Sequence, residues 1–339
     1  MKKILSFSII TLSVLFFGCK KTAEFTKSVD PASLASKQTT LASSAWEQLP
    51  SFPEGRIGAF GFSIGNKGYI GSGVSSNGFP ADFVEFDPTT NKWTKKGDFP
   101  GGSRYGAVSF TIGNKGYLCL GNSQSIKDLW EYEPATDKWS RKADLPLSST
   151  LYSGTTVTGF SIGNKGYVGV FCGSLQLYEY NPEQDVWTKK AELSTGNRTG
   201  AIAFSIGNKG YVGLGIKLNK DQSNTFMNDL WEYNPETNAW TRKADFPGGG
   251  RGAAVAFTIN DKGYVGAGIS SHNYIDSAFK NDLWQYDSVD DTWTLLDLTG
   301  LTGRSQAVGF SIGNSGYIGV GFNLIRSHYS CDFQRFSVE

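Results

Sequence analysis

Large apolar and small polar positions alternate in six closely similar stretches of this chain. GFSIGNKGYIGSG at Gly61–Gly73 returns as SFTIGNKGYLCLG at Ser109–Gly121 and GFSIGNKGYVGVF at Gly159–Phe171. It returns again as AFSIGNKGYVGLG at Ala203–Gly215, AFTINDKGYVGAG at Ala256–Gly268 and GFSIGNSGYIGVG at Gly309–Gly321. In every copy Phe stands seven residues before the Gly-Tyr tyrosine and Ile five before, with Gly, Ala, Ser or Thr between and ahead of them. A period of two predicts a strand with its large side chains on one face and its small ones on the other. The GNKG that follows is hairpin chemistry: Asn-Lys in a type I turn, then Gly at the left-handed bulge position. The tyrosines Tyr69, Tyr117, Tyr167, Tyr211, Tyr264 and Tyr317 lie 44 to 53 residues apart, the period of propeller blades. The large faces are expected to pack blade on blade, and the small ones to sit where six sheets converge. Three copies also fit G-x-S-x-G, at Gly61–Gly65, Gly159–Gly163 and Gly309–Gly313. That pattern marks a hydrolase nucleophile only at a strand–turn–helix junction. Here a strand follows the turn, and the hydrolase reading fails.

Each copy is followed by FVEFDPTTNKWTKK or a variant of it: LWEYEPATDKWSRK, LYEYNPEQDVWTKK, LWEYNPETNAWTRK, LWQYDSVDDTWTLL. An aromatic strand ends at Asp, Asn or Glu, a polar turn follows, and a strand begins at Trp. This resembles the Kelch repeat, with glycines closing the second strand, Tyr in the third and Trp opening the fourth. Gly-x-Gly, as in Gly71-Ser72-Gly73, mostly stands where that family has Gly-Gly. The resemblance implies an all-β fold, a six-bladed Kelch-type β-propeller of four-stranded blades spanning 46–339. The sixth copy stops at CDFQRFSVE without its Trp strand, and AWEQLPSFPEGR at the front carries Trp46 in the place of Trp93, Trp139, Trp187, Trp240 and Trp293. The N-terminal strand is therefore expected to close the last blade. Basic pairs after the Trp (Lys95-Lys96, Arg141-Lys142, Lys189-Lys190, Arg242-Lys243) suit outer edges that must refuse stray strands. Leu295-Leu296 replace them in the fifth copy, which makes that edge either covered or sticky.

The first residues change the picture of where the protein works. Lys2 and Lys3 precede the apolar run Ile4–Phe17, a signal peptide over 1–18. Gly18-Cys19 behind it resembles the lipobox of bacterial lipoproteins, in which the Cys becomes the acylated N-terminus. Phe16 and Phe17 depart from that pattern's usual Leu and Ala/Ser, and ordinary signal-peptidase cleavage stays open. Residues 19–45 read as a polar flexible tether. The expected localisation is exported and lipid-anchored in the cell envelope, at the outer membrane, with its periplasmic or surface side open. A formal charge of +1 and 19% charged residues argue against nucleic acid as a partner. Of Cys119, Cys172 and Cys331 at most two can pair with each other, and no C-x-x-C suggests zinc.

Candidate ligand chemistry gathers at one end of the repeats. The loop entering the first strand and the loop between the second and third emerge on the same side, and the latter vary from GSLQ to IKLNKDQSNTFMND and ISSHNYIDSAFKND. Varied loops on a fixed scaffold are where binding is expected. Arg56, Arg104, Arg198, Arg251 and Arg304 stand thirteen residues before the tyrosines, with Gly154 breaking the series. They have two readings: hydrogen-bonding of neighbouring loop carbonyls, which the Kelch resemblance implies, or an anion-selecting mouth. Asp98, Asp144, Glu192 and Asp245 are expected to share that region and neutralise the ring. Phe226, His272, Tyr274, His328 and Tyr329 complete the candidate ligand site. A metal would need more than His272 and His328 with Asp276 or Asp332, and neither metal nor cofactor is expected. An oxidase reading would rest on fold analogy alone. The main reading is a cell-envelope binding module for a carbohydrate or protein ligand, anionic ones included, that meets the membrane through its lipid alone. The alternatives are an enzyme resembling the sialic-acid mutarotases, themselves exported Kelch propellers, and a structural envelope protein. No catalytic residue is assigned.

Overall fold

The computed structural model describes residues 46–121, 126–147, 157–171, 175–219, 223–271, 278–296, 300–323 and 328–338. The signal peptide, Cys19, the tether, Cys172, His272 and Tyr274 lie outside them. The described chain is all-β and holds six four-stranded antiparallel sheets. Sheet one runs through Phe60–Ile64, Lys67–Gly71, Phe83–Asp87 and Lys92–Lys95, so its fourth strand starts one residue ahead of Trp93. Sheets two to six repeat it from the inner strands Val108–Ile112, Thr158–Ile162, Ile202–Ile206, Val255–Ile259 and Val308–Ile312. Each inner strand lies against its counterparts in two neighbouring sheets, and Val308–Ile312 lies against Phe60–Ile64. The sheets therefore close a ring about a central channel.

The alternation fixes this packing. All six inner strands bury their first, third and fifth residues, Phe and Ile among them, and leave the small residues half-buried at the channel. The glycine of each Gly-Tyr is where the neighbouring Phe ring lands. A Cβ on Gly116 would lie 2.3 Å from the Phe62 ring, one on Gly210 2.1 Å from Phe160, and one on Gly68 2.5 Å from Phe310. Any side chain there would wedge two sheets apart. On the channel side the small polar residues tie the sheets together: Ser109 Oγ donates to the Gly61 carbonyl at 2.8 Å, Thr111 Oγ1 to Ser63 at 2.7 Å and Thr258 Oγ1 to Ser205 at 2.7 Å.

Sheet six takes its outer strand from the other end of the chain. Glu47–Leu49 pairs antiparallel with Phe333–Ser337 in the register Glu47↔Arg335, Gln48↔Gln334, Leu49↔Phe333. Trp46 sets its ring 5.9 Å from that of Phe336, and the Trp93 Nε1–H donates to the Pro50 carbonyl of this closing segment. The basic pairs of the outer strands have acid partners. Lys96, Lys142, Lys190 and Lys243 meet Glu85, Glu131, Glu179 and Glu232 of the third strands. In sheet five Leu296 replaces that lysine and Gln285 that glutamate. Leu296 packs against the core beside Trp46 and Phe336, whereas Leu295 is exposed.

Candidate functional site

The five arginines sit where a bent segment must be held. Their side chains are 0–3% exposed, and each forks onto an aspartate that precedes a third strand. Arg56 meets Asp82 at 2.6 and 3.0 Å, Arg104 meets Asp128 at 2.9 and 2.7 Å, and Arg198 meets Asp229 at 2.7 Å twice. Arg251 meets Asp282 at 2.5 and 2.8 Å, and Arg304 meets Asp332 at 2.9 and 2.7 Å. Nη1 of each also donates to a carbonyl sixteen residues on, at Ser72, Leu120, Leu214, Ala267 and Val320. Those five residues hold φ between 53° and 62°, a left-handed conformation that costs a side-chain-bearing residue about 1–2 kcal/mol. Here is the reason for Gly-x-Gly: x is left-handed, and an arginine grips its carbonyl. Arg56, Arg104 and Arg251 also stack on Phe52, Phe99 and Phe246 at 4.5–5.2 Å.

The two readings of the arginines thus meet a definite geometry. Their guanidiniums are buried, matched by carboxylates and bonded to loop carbonyls, the structural role that the Kelch resemblance implied. The neutralising acids differ from those expected. Asp98, Asp144, Glu192 and Asp245 pair on the exposed outer edge with Lys95, Arg141, Lys189 and Arg242, each three residues before them. The partners are Asp82, Asp128, Asp229, Asp282 and Asp332, which sequence reasoning missed. A signal for them existed: the copy with Gly154 for Arg also has Gln176 in the aspartate's place. Burial works to raise the Asp229 and Asp282 carboxyls, but the hydrogen bonds and charge of Arg198 and Arg251 outweigh it and hold both below the ordinary carboxylate value.

Inside the arginines five described positions form an arc around the channel mouth. Two residues past the arginine, Gly58, Gly106, Gly200, Ala253 and Gln306 all have φ between 51° and 65°. Their backbones link from sheet to sheet: Gly106 N–H to Gly58 O at 2.8 Å, Gly58 to Gln306 at 3.2 Å, Gln306 to Ala253 at 3.1 Å and Ala253 to Gly200 at 2.9 Å. Tyr105 lies across this rim, its hydroxyl donating to Gln306 Oε1 at 2.7 Å. Beneath is a recess of about 170 Å³ lined by Ala59, Ala107, Ala201, Ala254 and Ala307, sharing walls with a second of about 260 Å³ lined by Ser63, Thr111, Ser161, Ser205, Thr258 and Ser311.

The remaining candidates lie farther out on this face. Phe226 is half-buried and packs with Ile269, Ala278, Phe279 and Phe322, so loops of sheets four, five and six share one apolar cluster. The long loop of sheet four is partly strand: Ile216–Leu218 and Asn224–Phe226 extend Arg198–Thr199 into a small sheet. Tyr329 is half-buried opposite Phe322, and His328 stands opposite Asn323. Phe79 is exposed. Among the described residues no cluster of His, Cys, Asp and Glu could hold a metal ion. The Cys119 thiol is free and buried, and burial pushes its pKa well up.

A closed ring of four-stranded antiparallel sheets around a channel defines a β-propeller. The chain belongs to the Attractin/LZTR1 beta-propeller family, whose model matches residues 68–325. It is similar, at 36% identity over 77 residues, to the N-acetylneuraminate epimerase of Pasteurella multocida (strain Pm70), covering 23% of this chain and 20% of that one. Two epimerases of the same name from Haemophilus influenzae (strains PittEE and 86-028NP) match at 34% over 85 residues, 25% of this chain and 23% of each. The chain thus matches about a fifth to a quarter of the length of these curated relatives. Among solved structures it resembles one titled "Structure of YjhT", with a TM-score of 0.68 and 19% identity over 86% of this chain and 97% of that one, a likeness of fold.

Proposed function

We propose that the protein is a six-bladed Kelch-type propeller, exported and held to the outer membrane by lipid on Cys19, that acts on an acidic N-acylated sugar of the sialic-acid kind. The observation that carries the substrate class is the 34–36% local identity with three N-acetylneuraminate epimerases, within a propeller-wide family match. The site would be the mouth of the channel on the arginine side, where a recess opens beneath Tyr105 and Gln306. Interconversion of sugar anomers needs a proton removed from the anomeric hydroxyl and one delivered to the ring oxygen. The five arginines serve neither step, because their guanidiniums are buried and paired with Asp82, Asp128, Asp229, Asp282 and Asp332.

The second reading, a module that binds such a sugar without chemistry, is supported by one specific observation. The rim above the recess offers a phenol and a carboxamide, and among the described residues neither a carboxylate nor an imidazole lines the recess. The purified protein should be mixed with N-acetylneuraminate while anomer exchange is followed by magnetisation-transfer NMR and binding by calorimetry. Exchange well above the spontaneous rate supports the epimerase reading. Binding without acceleration supports the binding module, and absence of both refutes the sialic-acid class.

A further inference from the structure

We propose that Tyr105 and Gln306 form a ligand-reading pair at the mouth of the channel, and that they recognise the uncharged acetamido group of the sugar rather than its carboxylate. The inference rests on the acidic-sugar reading above and adds to it the residues and the part of the ligand that they meet.

The first observation is a residue where the backbone would prefer another. All five described rim positions are left-handed; Gly58, Gly106 and Gly200 supply that conformation without strain, whereas Ala253 and Gln306 carry side chains there. Gln306 adopts φ 53° at the same place. Unlike Asn or Asp, glutamine has no short side chain that settles this conformation locally. Ala253 bears the same strain with a methyl group alone, so what sets Gln306 apart is the reach of its side chain.

What it does is reach across. Gln306 belongs to sheet six and Tyr105 to sheet two, yet hydroxyl and carboxamide oxygen are 2.7 Å apart. Between them Gly58 of sheet one is bare, and a Cβ there would lie 2.4 Å from Tyr105 Cδ2. Three sheets are thus fitted around one phenol. Both side chains are half-buried, so a ligand entering the mouth meets them.

Charge decides which part of the ligand they read. The nearby guanidiniums are buried against carboxylates and the rim's backbone amides bond from sheet to sheet, so what the rim presents is a phenol and a carboxamide. A carboxylate brought against them would be desolvated with no cation opposite. An acetamido group offers one N–H and one carbonyl, the complement of the donor and acceptor of a carboxamide, and a hydroxyl-lined site discriminates strongly against an analogue that leaves its groups unpaired.

The test uses the purified protein, its Gln306→Gly and Tyr105→Phe variants, and two probes: N-acetylneuraminate and the analogue carrying a hydroxyl in place of the acetamido group. Dissociation constants and melting temperatures are measured for all. The native protein should prefer N-acetylneuraminate by about tenfold or more, the scale of lost polar complementarity. Each variant should forfeit most of that preference. Gln306→Gly should melt no lower than the native protein, because glycine suits the left-handed rim, and Tyr105→Phe keeps the ring over Gly58. A lower melt for Gln306→Gly with the preference intact makes the pair a structural strut and overturns the inference. So does a native protein that binds both probes equally, which leaves the acidic-sugar reading standing. A native protein that binds neither probe overturns both.

Discussion

Blade three, with Gly154 and Gln176 where its sisters keep Arg and Asp, suggests how the buried ion pairs should respond to removal. The perturbation is to give blade four a neutral pair by Arg198→Ala and Asp229→Gln, singly and together. Arg198 is 1% and Asp229 7% exposed, so either substitution alone strands a charge out of reach of water. Breaking a buried pair in this way costs about 3–5 kcal/mol. In Arg198→Ala the Leu214 carbonyl also loses its donor; in Asp229→Gln the guanidinium keeps that carbonyl and loses both carboxylate oxygens. Additive costs would reach about 6–10 kcal/mol in the double variant. The expected cost is instead about 3–5 kcal/mol, because the second substitution removes the charge that the first left stranded. The gap, a coupling of about 2 kcal/mol or more, is read from urea denaturation of the four proteins followed by tryptophan fluorescence. Additive losses, or single variants costing under about 1 kcal/mol, would refute the claim that these arginines are paired and buried.

Deleting Trp46–Leu49 bares the edge of Phe333–Ser337 and the ring of Phe336, and should cause aggregation or lower the melting temperature by roughly 10 °C; an unchanged melt would mean that this strand closes nothing. Arg335→Glu, which sets a second acid against Glu47, should cost about 1 kcal/mol because the pair is part-exposed, and adding Glu47→Arg should restore most of it; a double variant as unstable as the single one denies the pair any role. Asp229 and Asp282 have folded pKa values below their unfolded ones, so the stability that they add is complete above about pH 4–5 and drains as pH falls through the folded values. Melts should therefore hold level from about pH 5 to 8 and drop below about pH 4, and a melting temperature that rises on acidification contradicts the linkage. Cys19→Ser should move the protein out of the membrane fraction; unchanged fractionation with no acyl mass on the mature N-terminus ends the lipoprotein reading.

The parts of the fold that were legible in the sequence depend on neighbours or on fixed periods. Alternation around Phe62 and Ile64 and the Asn-Lys-Gly turn need nothing from the rest of the chain, and Trp46 announced itself as the missing Trp of the last repeat. The aspartate partners were harder to see because their distance from the arginine is not fixed. Arg56 and Asp82 are 26 residues apart, Arg104 and Asp128 24, and Arg198 and Asp229 31. A loop of varying length separates them while their contact in space is constant, so reading acids at a constant offset led to Asp98 and its counterparts. Only the joint loss at Gly154 and Gln176 carries the signal. Tyr105 and Gln306 were invisible for a related reason. Their hydrogen bond spans 201 residues, and Gln306 looks ordinary until its φ is known. Of the outer candidates, Phe226 joins an apolar cluster with Phe279 and Phe322.

The inverted charge in the closing blade bears on how the ring finds its end. In the other blades the fourth strand follows the third across a short turn, so connectivity alone brings them together. Glu47 is 288 residues from Arg335, and no turn delivers it. A strand arriving from that distance could in principle take the fourth strand's place beside any third strand, and the third strands share one backbone geometry. Their side chains differ. At the position of Arg335, blades one to four carry Glu85, Glu131, Glu179 and Glu232, each already engaged by a tyrosine hydroxyl and a lysine. Glu47 offered to any of those would meet a like charge, whereas in the last blade it meets a guanidinium. A part-exposed pair contributes at most about 1 kcal/mol, a factor of about five in choosing between edges. Repulsion at the wrong sites widens the margin, so specificity comes from refusal as much as from attraction. Leu49 against Phe333 and Trp46 against Phe336 then hold the strand beside a third strand that has no fourth strand of its own, whereas blade five, with neutral Gln285 at this position, is already covered by Thr292–Leu296.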